Sequence, residues 1–131
     1  MVRMSGILII EENSWVRHLV RAVLEERFPE APVSEAAGTD AAVAAVAAVK
    51  PDVVLLRLDA RGGNGVALAH RLKELHTDGH IIIVTDYNEP EYREVARQNG
   101  FGCFMADGSV ELEDFMSSIR SAIAAGSLQR A

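Results

Sequence analysis

The chain has 131 residues, enough for one domain with its own core and too few for two ordinary ones. With 49% hydrophobic, 24% charged and 5% aromatic residues it reads as an Ala/Val-rich globular protein, and a net charge of -6 argues against a surface that grips a nucleic-acid backbone. The single Cys103 excludes an internal disulfide and a cysteine metal cluster, and with no leader-like start and no 18-residue apolar stretch the expected compartment is the cytoplasm, without membrane contact.

Strand-like and helix-like patterns alternate from end to end, as in βα units around a parallel sheet. Gly6 to Ile10 is an apolar strand ending at Glu11-Glu12. Ser14 or Asn13 then caps a helix in which Val16, Leu19, Val20, Val23 and Leu24 keep three-four spacing up to Phe28-Pro29. Pro32 to Ala36 is a short strand, Thr39 caps an Ala/Val helix over 40–49, and Lys50-Pro51 stops it before a strand at 52–58. After the glycine-rich loop from Asp59 to Gly65, residues Val66, Leu68, Ala69, Leu72 and Leu75 mark a third amphipathic helix ending near His76. Residues 80–85 form a fourth strand. Asn88 with Glu91 resembles a capping box for a helix over 89–99, with Gly100 as its stop. Cys103 to Met105 is a short fifth strand. Ser109 opens a last helix that turns Leu112, Phe115, Met116, Ile119 and Ile123 inward until Gly126, leaving 127–131 as a tail or the start of a linker. Five such repeats give an α/β doubly wound parallel sheet of the flavodoxin-like kind, strand order 2-1-3-4-5, as a single domain over residues 1–126.

One residue breaks the pattern. Arg57 sits at the far end of Val53-Val54-Leu55-Leu56, a run so continuously apolar that both its faces should be covered, and arginine is almost never buried without a partner. Ligand sites of open α/β sheets lie beyond the carboxyl ends of such strands, so Arg57 stands where chemistry would be sought.

Taken in order, the strand-end residues resemble the response-regulator receiver domain of two-component signalling, over residues 5–126. Glu11-Glu12 stands where that family begins its metal site, normally with two aspartates; Val16-Arg17 follows as in the family. Pro51-Asp52-Val53-Val54-Leu55-Leu56 is similar to its third strand, whose next residue is the phosphoacceptor aspartate. Asn64-Gly65, Thr85, Gly100 and Phe104 occupy the positions of its Asp/Asn-Gly, its hydroxyl residue, its glycine turn and its switch aromatic.

The departures matter more. The acceptor position is Arg57, the lysine position is Asp107, and Gly108 stands where a proline should follow. A receiver needs a carboxylate nucleophile, a divalent cation on neighbouring carboxylates and a lysine that holds the product. A guanidinium is a permanent cation with donors only, so Arg57 can neither accept phosphate nor tolerate Mg²⁺ beside it. The resemblance therefore implies a degenerate phosphorylation site made of Arg57, Glu11, Glu12, Thr85 and Asp107, with no cofactor and no catalysis. Arg57 is expected to fork onto Asp107 or Glu12, an exchange of the family's Asp-Lys pair. Competing readings have Arg57 arching to solvent, Glu11-Glu12 simply solvated, Thr85 and Phe104 structural, and Asp59 serving as a displaced acceptor. His18, His70, His76 and His80 fall on different elements and read as surface or incidental, and Cys103 as a buried small residue.

The expected function is that of an atypical receiver working through protein contacts. The resemblance places its partner or homodimer surface at about residues 89–125, where Tyr87, Tyr92 and Phe101 are expected to form an exposed cluster. Ile119-Arg120 to Gly126 resembles receivers that precede a DNA-binding output domain, so nucleic acid would be met by another domain. The alternatives are a phosphorylatable receiver using Asp59, and a small-ligand sensor using the strand-end crevice. Against the last, Glu11-Glu12-Asn13 replaces the glycine-rich turn that would cradle phosphate.

Overall fold

A computed structural model describes residues 6–58, 65–76, 78–85, 94, 96–105 and 112–130. Strands β1 (Ile7–Ile10), β2 (Val33–Ala36), β3 (Val53–Leu58), β4 (His80–Thr85) and β5 (Gly102–Met105) form one parallel sheet in the order β2-β1-β3-β4-β5. Helices α1 (Ser14–Arg27), α2 (Thr39–Val49), α3 (Gly65–Leu75) and α4 (Leu112–Arg130) cover its two faces. Residues 94 and 96–98 are also helical. The doubly wound α/β fold expected from the sequence is the fold observed.

The sheet's period of two divides the core. Leu8, Ile10, Val54, Leu56, Ile81 and Ile83 face α2 and α3, meeting Ala42, Val46, Ala69 and Leu72. Their neighbours Ile7, Ile9, Val53, Leu55 and Ile82 face α1 and α4, meeting Leu24, Met116, Ile119, Ala122 and Ile123. Strands sandwiched in this way have no solvent face, which is why β1 and β3 read as unbroken apolar runs. At about 25 cal/mol per Å² of apolar surface removed from water, these two layers supply the main driving force for folding.

Several boundaries move. Asn13, not Ser14, caps α1: its Oδ1 accepts from the Val16 N–H at 3.1 Å. Thr39 lies inside α2, whose cap is Gly38 in an extended conformation without a side-chain bond. Lys50 ends α2 in the left-handed region at φ 49, closing onto Val46 O before Pro51. Gly100 takes φ 74 while Phe101 N–H reaches back to Ala96 O, a Schellman-type stop of the helical segment at 94 and 96–98. The last helix does not stop at Gly126 but runs to Arg130, so residues 127–130 of the expected tail are helical. Leu19, Leu75 and Leu112, expected inward, are 51%, 44% and 53% exposed. Phe101, expected in an exposed cluster, is buried against the α2/α3 layer with its ring edge-on to His70. Tyr87 and Tyr92 lie outside the described residues.

Candidate functional site

The parallel register pairs Ile7 with Val53 and Ile10 with Leu56, so the next residues, Glu11 and Arg57, emerge side by side at the carboxyl edge of the sheet. Both continue the alternation that points Ile7, Ile9, Val53 and Leu55 toward α1 and α4. Arg57 Nε lies 3.9 Å from Glu11 Oε1, with 30% and 14% of the two side chains exposed. The guanidinium therefore does not arch freely to solvent, and the described carboxylate it meets is Glu11; Glu12, one residue on, is exposed. The expectation of a fork onto Glu12 is corrected by this register. Asp107, the other expected partner, and Asp59, the alternative acceptor, lie outside the described residues, as do the side chains of Phe104 and Cys103.

Thr85 ends β4 opposite Leu58 and is fully buried. Arg57, Glu11 and Thr85 thus share one end of the sheet.

The backbone of Glu11 is fixed as firmly as its side chain. Its N–H donates to Ala36 O at 3.1 Å, and its carbonyl accepts from Arg17 Nη1 at 2.7 Å. Arg17 also donates through Nε to Glu35 Oε1 at 2.8 Å. Arg21, one turn further along α1, donates to Glu35 Oε2 at 2.8 Å and to Glu25 at 2.9 Å, while His18 Nε2 stands 3.3 Å from Glu35 Oε1. Glu35 is thus the hub of a charged network on the α1 side, a feature not anticipated from the sequence. The signal was present: Glu35 falls on the same face as Val33 in β2, and Arg17 and Arg21 are spaced to share one face of α1. His18 and His76 are likewise not incidental, since His76 Nε2 lies 3.0 Å from Pro51 O.

Burial alone would push the Glu35 carboxyl up, but hydrogen bonds from Arg21 and Arg17, with His18 nearby, more than offset it and hold the group below its ordinary value. A depressed carboxylate contributes stability that is present above its unfolded pKa and is lost as pH falls through the lower folded value. Glu35→Gln is therefore expected to lose about 1–2 kcal/mol near neutral pH, discounted for the half-exposed Arg21, and the gap to wild type should close in acid. Urea unfolding at pH 7 and pH 3 checks this; an equal loss at both would refute the ionic origin.

Among the described residues no cluster of three or more His, Cys, Asp or Glu side chains could hold a metal ion, and no helix is long and apolar enough to cross a membrane.

Comparison with known proteins agrees with this geometry. A family model described as the response regulator receiver domain matches residues 7–106. The chemotaxis protein CheY of Halobacterium salinarum is 27% identical over 117 residues, covering 89% of this chain and 92% of its own. The DNA-binding transcriptional activator EvgA of Escherichia coli is 29% identical over 118 residues, but these are 90% of this chain and only 55% of EvgA. The chain thus spans about half the length of that relative. The signal receiver domain of a DNA-binding response regulator from Colwellia psychrerythraea superposes with a TM-score of 0.80 at 25% identity, covering 91% of this chain and 98% of the other. With the sheet order and the match over residues 7–106 in agreement, the chain belongs to the response-regulator receiver domain family.

Proposed function

We propose that this receiver takes no phosphoryl group and binds no Mg²⁺, and that it signals through protein contacts from a site held together by its own charges. The observation that carries this reading is Arg57 Nε at 3.9 Å from Glu11 Oε1, in the position where the family resemblance puts the acceptor carboxylate. A guanidinium cannot be a nucleophile at any working pH. It also supplies the positive charge that a divalent cation would bring to Glu11, so the residues present do not fit the metal the family uses. The domain is then a binding module and not an enzyme.

The contacts belong to the surface formed by residues 89–125, whose described parts include β5 and most of α4; the exposed Leu112 of α4 offers an apolar element there. By analogy with EvgA, whose name identifies a DNA-binding activator, a DNA-binding output domain in the same polypeptide is the proposed recipient of the signal, in the cytoplasm.

Incubation with acetyl phosphate and Mg²⁺ followed by intact mass measurement tests the central claim. The mass is expected to remain that of the unmodified chain. An adduct of one phosphoryl group that disappears in Asp59→Ala would overturn the proposal in favour of a displaced acceptor.

A further inference from the structure

At the opposite end of the sheet from Arg57, a cleft of about 410 Å³ opens between the amino ends of β4 and β5 and the middle of α4. Its size falls within the range of small-molecule sites, roughly 300–1,000 Å³. Lys73, in the last turn of α3, and His80, the first residue of β4, line one side; Ser117, Ser118 and Ser121 of α4 line the other. Among the described residues no carboxylate lines it, in a chain of net charge -6. Lys73 Nζ donates to Gly79 O at 2.7 Å, which fixes the ammonium at the rim while leaving two of its three N–H bonds for another acceptor.

The remaining wall is bare backbone and hydrocarbon. Gly102 begins β5 where a Cβ would already stand 3.3 Å from Ile82 Cγ1, and Gly100 has open space around it. Ile82 and Ala122 supply an apolar floor. Three serines within five residues are a poor choice for an exposed helix interior, since serine is a weaker helix former than the alanines this chain uses throughout α2. The three hydroxyls line the α4 wall of the cleft, where an anion could use them as donors.

We infer that this cleft is a binding site for a small metabolite bearing an oxyanion, a phosphate ester or a carboxylate, with its polar head between Lys73, His80 and the serine hydroxyls and a short apolar body on Ile82 and Ala122. This goes beyond the proposed function and does not depend on it. It gives this receiver domain an input at the amino end of the sheet, beside the middle of α4.

The test follows backbone amide chemical shifts during titration with inorganic phosphate and, separately, succinate, against sodium chloride at matched ionic strength. Saturable movement is expected at Gly100, Gly102, Ser118 and Ser121 with phosphate or succinate and not with chloride; the tighter of the two names the head group. Lys73→Gln, and independently the double variant Ser118→Ala/Ser121→Ala, should each weaken the midpoint at least tenfold. The second variant keeps the test decisive if the loss of the Lys73 contact to Gly79 perturbs the fold. Linear, non-saturating shifts, saturation at residues remote from the cleft, or midpoints unchanged in the serine variant would overturn the inference.

Discussion

Gly6→Ala is expected to remove about 3–5 kcal/mol of stability, a large part of the roughly 5–15 kcal/mol a domain of this size possesses. Gly6 precedes the interior strand β1 at φ 92, a left-handed conformation that costs an L-residue about 1–2 kcal/mol before any contact is considered. A Cβ built there would stand 2.1 Å from Pro32 O and 3.0 Å from Pro32 C, both backbone atoms that cannot swing aside. Retreat is blocked on the other flank. Gly6 N–H donates to Asp52 Oδ2 at 3.1 Å, and Gly6 O accepts from Asp52 N at 2.8 Å and Val53 N at 3.3 Å. Moving Gly6 away from Pro32 therefore breaks its bonds to the start of β3, and moving Pro32 breaks its bond to Ile7 N at 2.8 Å. With a urea slope of about 1–3 kcal/mol/M, the midpoint should fall by roughly 2 M. Gly38→Ala is the control: nothing lies within 4 Å of its Cβ position, and the loss should stay under about 1 kcal/mol. Equal losses in the two variants would show that close approach to Pro32 is not what requires glycine at position 6.

The strands were legible because burial on both faces forces continuous apolar runs, and β1, β3 and β4 have no other reading. The place of the candidate site, at the carboxyl edge of the sheet, followed from Arg57, which is incompatible with the interior of such a run. That Glu11 stands beside it was not legible. Choosing Glu11 over Glu12 requires the register that sets Ile7 beside Val53, and register is a property of strand pairing that no single segment encodes. Glu35 was hidden for a related reason: β2 is a four-residue edge strand, and its one charged residue becomes meaningful only when α1 is laid across it with Arg17 and Arg21 facing down. Gly126 misled in the other direction. A glycine near a helix end usually marks a stop, yet here it lies within α4 because a Cβ would stand 2.2 Å from Asp52 Oδ1; close approach of a buried carboxylate, not a turn, accounts for it. Phe101 was expected in an exposed cluster on the partner surface, but the Schellman-type closure onto Ala96 turns it into the core.

If Arg57 excludes Mg²⁺ as proposed, Arg57→Asp should turn a site indifferent to the cation into one that needs it. In wild type the guanidinium beside Glu11 supplies the balancing charge at this end of the sheet, so millimolar Mg²⁺ is expected to leave the thermal midpoint where an equal ionic strength of NaCl leaves it. Reversing that charge sets two carboxylates about one ion-pair distance apart, with Glu12 adjacent in sequence. At an effective dielectric between those of water and a protein surface, this repulsion is worth about 1–4 kcal/mol per close pair. The variant without metal should accordingly be less stable than wild type by at least about 2 kcal/mol, the lost Arg57 to Glu11 attraction adding to the new repulsion. The same change assembles hard oxygen donors of the kind that Mg²⁺ prefers. Binding to the folded state alone would return about 2.7 kcal/mol at a hundredfold excess over the dissociation constant. Thermal unfolding of both proteins with and without Mg²⁺ reads the result directly. A wild-type midpoint that rises with Mg²⁺ beyond the NaCl control would show that Arg57 does not exclude the cation, and a variant with no Mg²⁺ response would show that Glu11 and Glu12 are not placed to hold one. Phosphoryl uptake should still be absent from the variant, because the position that the family resemblance assigns to the product-holding lysine is Asp107, and a second acid there opposes the charge that a phosphoryl group would bring.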